Sequence, residues 1–253
     1  MTEGLDSVVI EVADLTIGWT AETVREEHVT FQVTRGDVFV ILGRSGSGKS
    51  TLFRHLIGLQ EPLGGSISIH GVGTPHIEVG RPKFGVMFQG GALFGSLSVA
   101  ENVALPLEQW TKLPPDAIDA IVRAKLRLVG LSEAEHSLPA AISGGMRKRA
   151  AIARAMALEP DLIFLDEPSS GLDPVTSAEL DALMVTLCRS LGVTVVVVTH
   201  DLGSILGIVD RAIVLDRAEK RIVATGSPAE LQKSQDRRVH AFFSRTVEPS
   251  GKS

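Results

Sequence analysis

An α/β fold built on buried parallel strands is the class this sequence predicts, from three observations. The apolar run Val38-Phe39-Val40-Ile41-Leu42 leads directly into Gly43-Arg44-Ser45-Gly46-Ser47-Gly48-Lys49-Ser50, which fits G-x-x-x-x-G-K-[ST], and then into the helical stretch from Thr51 to Ile57. A second run, Leu162-Ile163-Phe164-Leu165, ends in Asp166-Glu167-Pro168, and Ser143-Gly144-Gly145-Met146 opens an alanine-rich helix ahead of it. Short continuous apolar runs, as opposed to alternating ones, are what strands covered on both faces require.

The first run and its loop have the order strand, glycine-rich turn, helix that a phosphate-binding loop needs. Glycine lets the chain curl so that N–H groups from Gly46 to Ser50 wrap a β-phosphate, with the positive end of the new helix aimed at the same anion. Lys49 is placed to reach the β/γ-phosphates and the Ser50 hydroxyl to bind Mg²⁺. A bare strand-to-helix turn without a ligand is the competing reading. Asp166-Glu167 then supplies two carboxylates at the C-terminal edge of a central strand, Asp166 for Mg²⁺ through water and Glu167 as general base for the attacking water. Alone, such a pair is an ordinary solvated strand end. The start at Ser143-Gly144-Gly145 exposes unpaired N–H groups to an anion, or is simply a serine-capped helix.

Elsewhere, Val8 to Leu15, Val29 to Val33 and Ser66 to His70 alternate as a small antiparallel sheet does. Ser98-Val99-Ala100-Glu101 is a capping-box pattern opening a helix toward Leu107, Leu113-Pro114-Pro115 separates it from a second helix over Asp116 to Val129, and Leu180 to Leu191 is helical in texture. Ser227-Pro228-Ala229-Glu230 starts another capped helix. The 253 residues, 44% of them hydrophobic, suffice for one domain over residues 1–247 with two lobes. The core lobe is expected at about 1–89 and 159–247, the helical lobe at about 90–158, and a frayed tail at 248–253.

No apolar stretch approaches the ~18 residues that cross a bilayer, and the N-terminus lacks a basic-then-apolar signal, so a cytosolic place is expected. Cys188 is the one cysteine and reads as a buried thiol. A net charge of -5 gives no support to a nucleic-acid partner, and Arg147-Lys148-Arg149 reads as the solvated or phosphate-facing side of its helix.

With the phosphate loop, Ser-Gly-Gly and Asp-Glu in this order, the chain resembles the ATP-binding subunit of ABC transporters over nearly all of residues 8 to 235. The resemblance implies a P-loop NTPase fold of the RecA-like kind, an ABC nucleotide-binding domain with an antiparallel β subdomain and a helical subdomain. It implies ATP and Mg²⁺ as cofactors, held by Gly43, Ser45, Gly46, Gly48, Lys49, Ser50 and Thr51, and it makes Ser143, Gly144 and Gly145 a signature that contacts the γ-phosphate of ATP on a second copy of the chain. Gln89, after Phe84 to Phe88, resembles the Q-loop residue that senses Mg²⁺ and the attacking water; a polar strand end is its plain alternative. His200, closing Val193 to Thr199, resembles the switch histidine, and Asp173 the D-loop acid at the dimer interface. Trp19 stands where the family places an aromatic on adenine, usually tyrosine, a residue this chain lacks; packing on its own sheet is the alternative.

The stretch Met87 to Leu107, with methionine at 146 where glutamine is commoner, is similar to the ATPases of Mla-type phospholipid transporters that work with MCE-domain proteins. That likeness implies a peripheral position on the cytoplasmic face of a bacterial inner membrane, a transmembrane permease docked near Gln89 to Leu107, and an MCE protein in the same complex. A small-solute importer ATPase and a soluble ABC ATPase, such as an iron-sulfur assembly scaffold, are the alternatives. A GTPase switch is excluded by the lack of [NT]-K-x-D: the only asparagine is Asn102, and Thr111-Lys112 is followed by Leu113-Pro114.

Overall fold

The computed structural model describes residues 8–18, 24–76, 80–200 and 205–243. In chain order these form β1 (Val8–Gly18), β2 (Val24–Thr34), β3 (Val38–Gly43), α1 (Lys49–Leu56), β4 (Gly64–Ile69), β5 (Gly85–Met87), α2 (Val99–Trp110), α3 (Pro115–Leu128), α4 (Gly144–Ala155), β6 (Leu162–Asp166), α5 (Pro174–Val185), β7 (Thr194–Thr199), β8 (Arg211–Asp216), β9 (Arg221–Gly226), α6 (Pro228–Leu231) and α7 (Arg237–Phe243). The chain divides into two compact units, residues 1–77 with 198–253, and residues 78–197. The second unit joins β5, β6 and α5 to the helices α2, α3 and α4. Part of the reason is close packing: a Cβ on Gly85 of β5 would collide with the carbonyl oxygen of Ala155 at the end of α4.

In the first unit, β1 is flanked by β2 and β4 in an antiparallel sheet of order β2-β1-β4. Its alternation breaks at bulges. Val29, Phe31 and Val33 of β2 face inward, but His28 takes a left-handed φ of 54° and the register slips between Leu15↔Val29 and Ile17↔Glu26. The extra residue reverses the parity of the strand, so Glu26 is the side chain that turns inside. The same unit holds β3, buried at every position, in parallel register with β8 from Phe39↔Arg211 to Gly43↔Leu215, and β9 antiparallel beyond it. Phe31 stacks on Phe39 at 5.4 Å.

In the second unit, β5 and β6 pair in parallel, Gly85↔Ile163 to Met87↔Leu165, with Phe84 edge-on to Phe164 at 5.2 Å. Helices α2, α3 and α4 pack on one another, and α4 packs on β5. The capping box at Ser98 is formed, the Ser98 Oγ accepting from Glu101 N and the Glu101 carboxylate accepting from Ser98 N. α2 continues past Leu107 to Trp110. The helix expected over Leu180 to Leu191 begins earlier, at Pro174 after its Asp173 cap, and ends in a wider π turn over Thr186–Ser190 that buries Cys188. β7, buried throughout, lies across the division between the units. No helix among the described residues is long and apolar enough to cross a membrane.

Candidate nucleotide site

The glycine-rich loop begins where β3 ends. Gly43 is buried, and a Cβ there would strike the Ser47 Oγ, so the loop closes on itself at a position that tolerates no side chain. Ser47 N donates to Arg44 O at 3.1 Å. Gly48, at φ 87°, is the N-cap of α1, and no side chain accepts from the first-turn N–H groups. A left-handed cap of this kind favours glycine and leaves a ring of donors at the positive end of the helix. Lys49 is buried and folds back along the loop, its Nζ donating to Gly43 O at 2.7 Å and Arg44 O at 3.1 Å. Ser45, Gly46 and Ser50 are exposed, and Thr51 is buried behind them. A glycine cradle, an uncapped helix start, a fixed ammonium and an exposed hydroxyl form a donor set that fits a polyphosphate with a hard divalent cation.

Two further side chains stand at this loop that sequence reading missed. The exposed Arg217 guanidinium lies beside Gly46, its Nη1 3.5 Å from where a Cβ would stand, and adds positive charge there. Glu26 is fully buried against Gly48, whose Cβ would lie 2.9 Å from its Cγ and Oε1. Neither of its carboxyl oxygens has a hydrogen-bond partner. Burial first, and then the charge of Asp216, push the Glu26 carboxyl up to about 8, against a smaller opposing pull from Lys220. His200 is exposed at the bend after β7. Trp19 lies outside the described residues.

In the second unit, β6 buries Leu162 to Leu165 and delivers Asp166 and Glu167, both half-buried, at its end. Glu167 adopts φ 48°, a left-handed conformation uncommon for a residue with a side chain. Ser143 is exposed and caps α4, accepting from Met146 N at 3.2 Å. Gly145 is buried, and a Cβ would collide with Thr176 Cγ2 of α5, so helix packing requires glycine there independently of any ligand. Asp173 caps α5: one oxygen accepts from Val175 N and Thr176 N, the other from the Thr176 hydroxyl, and these bonds hold its carboxyl below the usual range. Gln89 is exposed just past β5, in a loop whose Gly91 and Ala92 carbonyls accept from Arg154 of α4 at 2.9 and 2.7 Å.

The reading of Arg147-Lys148-Arg149 as a single solvated or phosphate-facing side of the helix is corrected at Lys148. Arg147 is exposed and Arg149 pairs with Glu179 at 3.1 Å, but Lys148 is 8% exposed, and its Nζ donates to the backbone carbonyl of Glu167 at 2.8 Å. Three consecutive helix residues span about 200° of arc, so a packed helix cannot keep all three in water.

Residues 27–170 match the family model described as ABC transporter. The chain belongs to the ABC transporter family. In that family the chain is an ATPase whose cofactors are ATP and Mg²⁺. It is 43% identical over 222 residues to the intermembrane phospholipid transport system ATP-binding protein MlaF of Escherichia coli K12, covering 86% of this chain and 82% of that one. It is 42% identical over 254 residues to the probable ribonucleotide transport ATP-binding protein mkl of Mycobacterium leprae, covering 97% and 72%. Among solved structures it resembles cbiO1 from Clostridium perfringens, part of the ABC transporter complex cbiONQ, with TM-score 0.80, 30% identity and coverage of 94% and 97%. It also resembles the dimeric ATP-binding cassette MJ0796 in a post-hydrolysis state bound to ADP and Pi, with TM-score 0.76, 28% identity and coverage of 87% and 98%. These matches agree with the ABC nucleotide-binding fold and the Mla-type resemblance.

Proposed function

We propose that the chain is the energy-supplying subunit of a phospholipid transporter, seated on the cytoplasmic face of a bacterial inner membrane with a transmembrane permease and an MCE-domain protein. The observation that carries the lipid reading is the 43% identity to MlaF over most of both chains. In this reading two copies of the chain sandwich ATP. The loop residues Gly43, Ser45, Gly46, Gly48, Lys49, Ser50 and Thr51 bind the phosphates through N–H groups, hydroxyls and one ammonium. Ser50, Asp166 and Gln89 hold Mg²⁺, which when bound offsets charge on the β- and γ-oxygens. Glu167 takes the proton of the attacking water, His200 touches the γ-phosphate, and Trp19 stacks on adenine. Ser143, Gly144 and Gly145 of the other copy complete the γ-phosphate pocket, with Asp173 at the interface. Neither copy then holds a full set of donors, so ATP binding closes the pair and hydrolysis opens it, and this motion drives the permease.

The exposed Phe94, at 59%, lies in the Gln89 to Leu107 region where the permease is proposed to dock, and Phe88, at 38%, borders it. Affinity purification of the tagged chain from detergent-solubilised membranes tests the assembly. A permease and an MCE-domain protein carrying bound phospholipid are expected. A periplasmic solute-binding protein in their place would refute the lipid assignment, and purely soluble partners would refute transport altogether.

A further inference from the structure

We propose that Lys148 is a positioning residue that ties the signature helix to the backbone of the general base, so that the helix serving one nucleotide also sets the base for the other. The proposal rests on the two-copy reading above. Its geometry lies within one unit. Lys148 stands on α4 five residues after the Ser143 cap, a separation of about 7.5 Å along a helix axis. Its side chain runs inward, is 8% exposed, and places Nζ 2.8 Å from Glu167 O.

The acceptor is the carbonyl of the one residue whose carboxylate is to activate water, and that residue holds a left-handed φ of 48°. Such a backbone persists only where its surroundings fix it. A charge-assisted bond to the carbonyl is a direct way to do so, because it fixes the peptide plane and with it the direction in which the Glu167 side chain leaves the chain. Burial holds the proton affinity of this ammonium below the usual lysine range, against the smaller opposing pull of the Glu167 and Asp166 charges.

On the adjoining face of the same helix, Gly145 packs on Thr176 and Arg149 pairs with Glu179, so α4 is held against α5 as well. A displacement of the Ser143 end, on meeting the γ-phosphate bound to the second copy, is carried along a rigid helix to Lys148 and then to Glu167 of its own copy. A structural lysine would affect folding or nucleotide binding; a positioning lysine affects turnover alone.

The full-length chain is compared with Lys148→Met, Lys148→Gln and Lys148→Arg. Lys148→Met is expected to lower kcat by about 10- to 100-fold. Its KM for ATP and its affinity for MgADP are expected to stay within about two-fold. Lys148→Arg, which keeps a charged donor, is expected to restore most of kcat. ATP-driven dimerisation, read by mass in a Glu167→Gln background, is expected to be unchanged by Lys148→Met. If Lys148→Met turns over like the parent chain, the proposal is wrong. If instead it abolishes dimerisation with MgADP binding intact, Lys148 serves the signature end and the assignment to Glu167 is overturned. Should Lys148→Met not fold, Lys148→Gln supplies the same comparison with a neutral donor. Ser143→Arg separates the two readings: full activity in that variant refutes the shared site, whatever Lys148 does.

Discussion

Glu26 offers a measurement that needs no ligand. The bulge at His28 turns its carboxyl inside, where it lies against Gly48 with both oxygens unpaired. Burial, reinforced by Asp216 and partly countered by Lys220, raises it from an ordinary value near 4.5 to about 8. At about 1.4 kcal/mol per pH unit, that displacement is worth roughly 5 kcal/mol of stability between the fully protonated and fully ionised limits. The sign follows from which state binds the proton more tightly. Below about 4.5 both states are protonated and the contribution is complete. Between about 4.5 and about 8 the unfolded chain ionises while the folded one keeps its proton, so stability falls as pH rises, and above about 8 the contribution is gone. Glu26→Gln has nearly the same shape and no proton to lose. Urea unfolding of both chains at constant ionic strength from about pH 5.5 to 7.5 should show the parent losing roughly 3 kcal/mol relative to the variant. Parallel stability curves would refute the reasoning, since they would mean that Glu26 carries its charge in the folded chain.

Glu167→Gln should bind MgATP like the parent chain and hydrolyse it about 10²- to 10⁴-fold more slowly, read by phosphate release; normal turnover would remove Glu167 as the base. Asn102, fully buried, accepts from Phe94 N at 2.8 Å and donates to Phe94 O, Leu97 O and Ser98 O. Asn102→Ala should therefore cost about 3 kcal/mol in urea unfolding and speed amide exchange over residues 94–98, and unchanged exchange there would show that the loop is held by something else.

Much of the site was legible because its chemistry is local in sequence. The run Val38 to Leu42, the glycines after it and the helix start form one continuous stretch, and both the buried strand and the uncapped helix at Gly48 follow from residue types alone. The same holds for Leu162 to Glu167 and for the Ser98, Ser143 and Ser227 caps. What escaped depends on three-dimensional facts that no spacing rule carries. Glu26 falls on the outward parity of a strand read backward from Val29, Phe31 and Val33, and one bulge reverses that parity. Lys148 sits in a basic triplet whose charge suggests solvent, and only the way α4 turns toward the Glu167 carbonyl selects it for burial. Gly145 has a packing reason for being glycine that is invisible until α5 is placed against α4.

These contacts give α4 an unusual share of the work in its unit. Its first residue follows the Ser143 cap, its second turn carries the Lys148 bond to Glu167, and its last turn carries Arg154, which grips the Gly91 and Ala92 carbonyls just after Gln89. Arg154 is half-buried; burial lowers its proton affinity, and two carbonyl acceptors meet its guanidinium. A buried cation cannot exchange protein partners for water cheaply, so Lys148 keeps its hold on the Glu167 carbonyl while the helix stays packed, and the half-buried Arg154 adds two bonds to the Gln89 loop. Motion of α4 then pulls on both the Glu167 backbone and the Gln89 loop. The loop proposed to dock a permease and the carboxylate proposed to activate water are thereby joined through one helix, and coupling between them requires no further moving part.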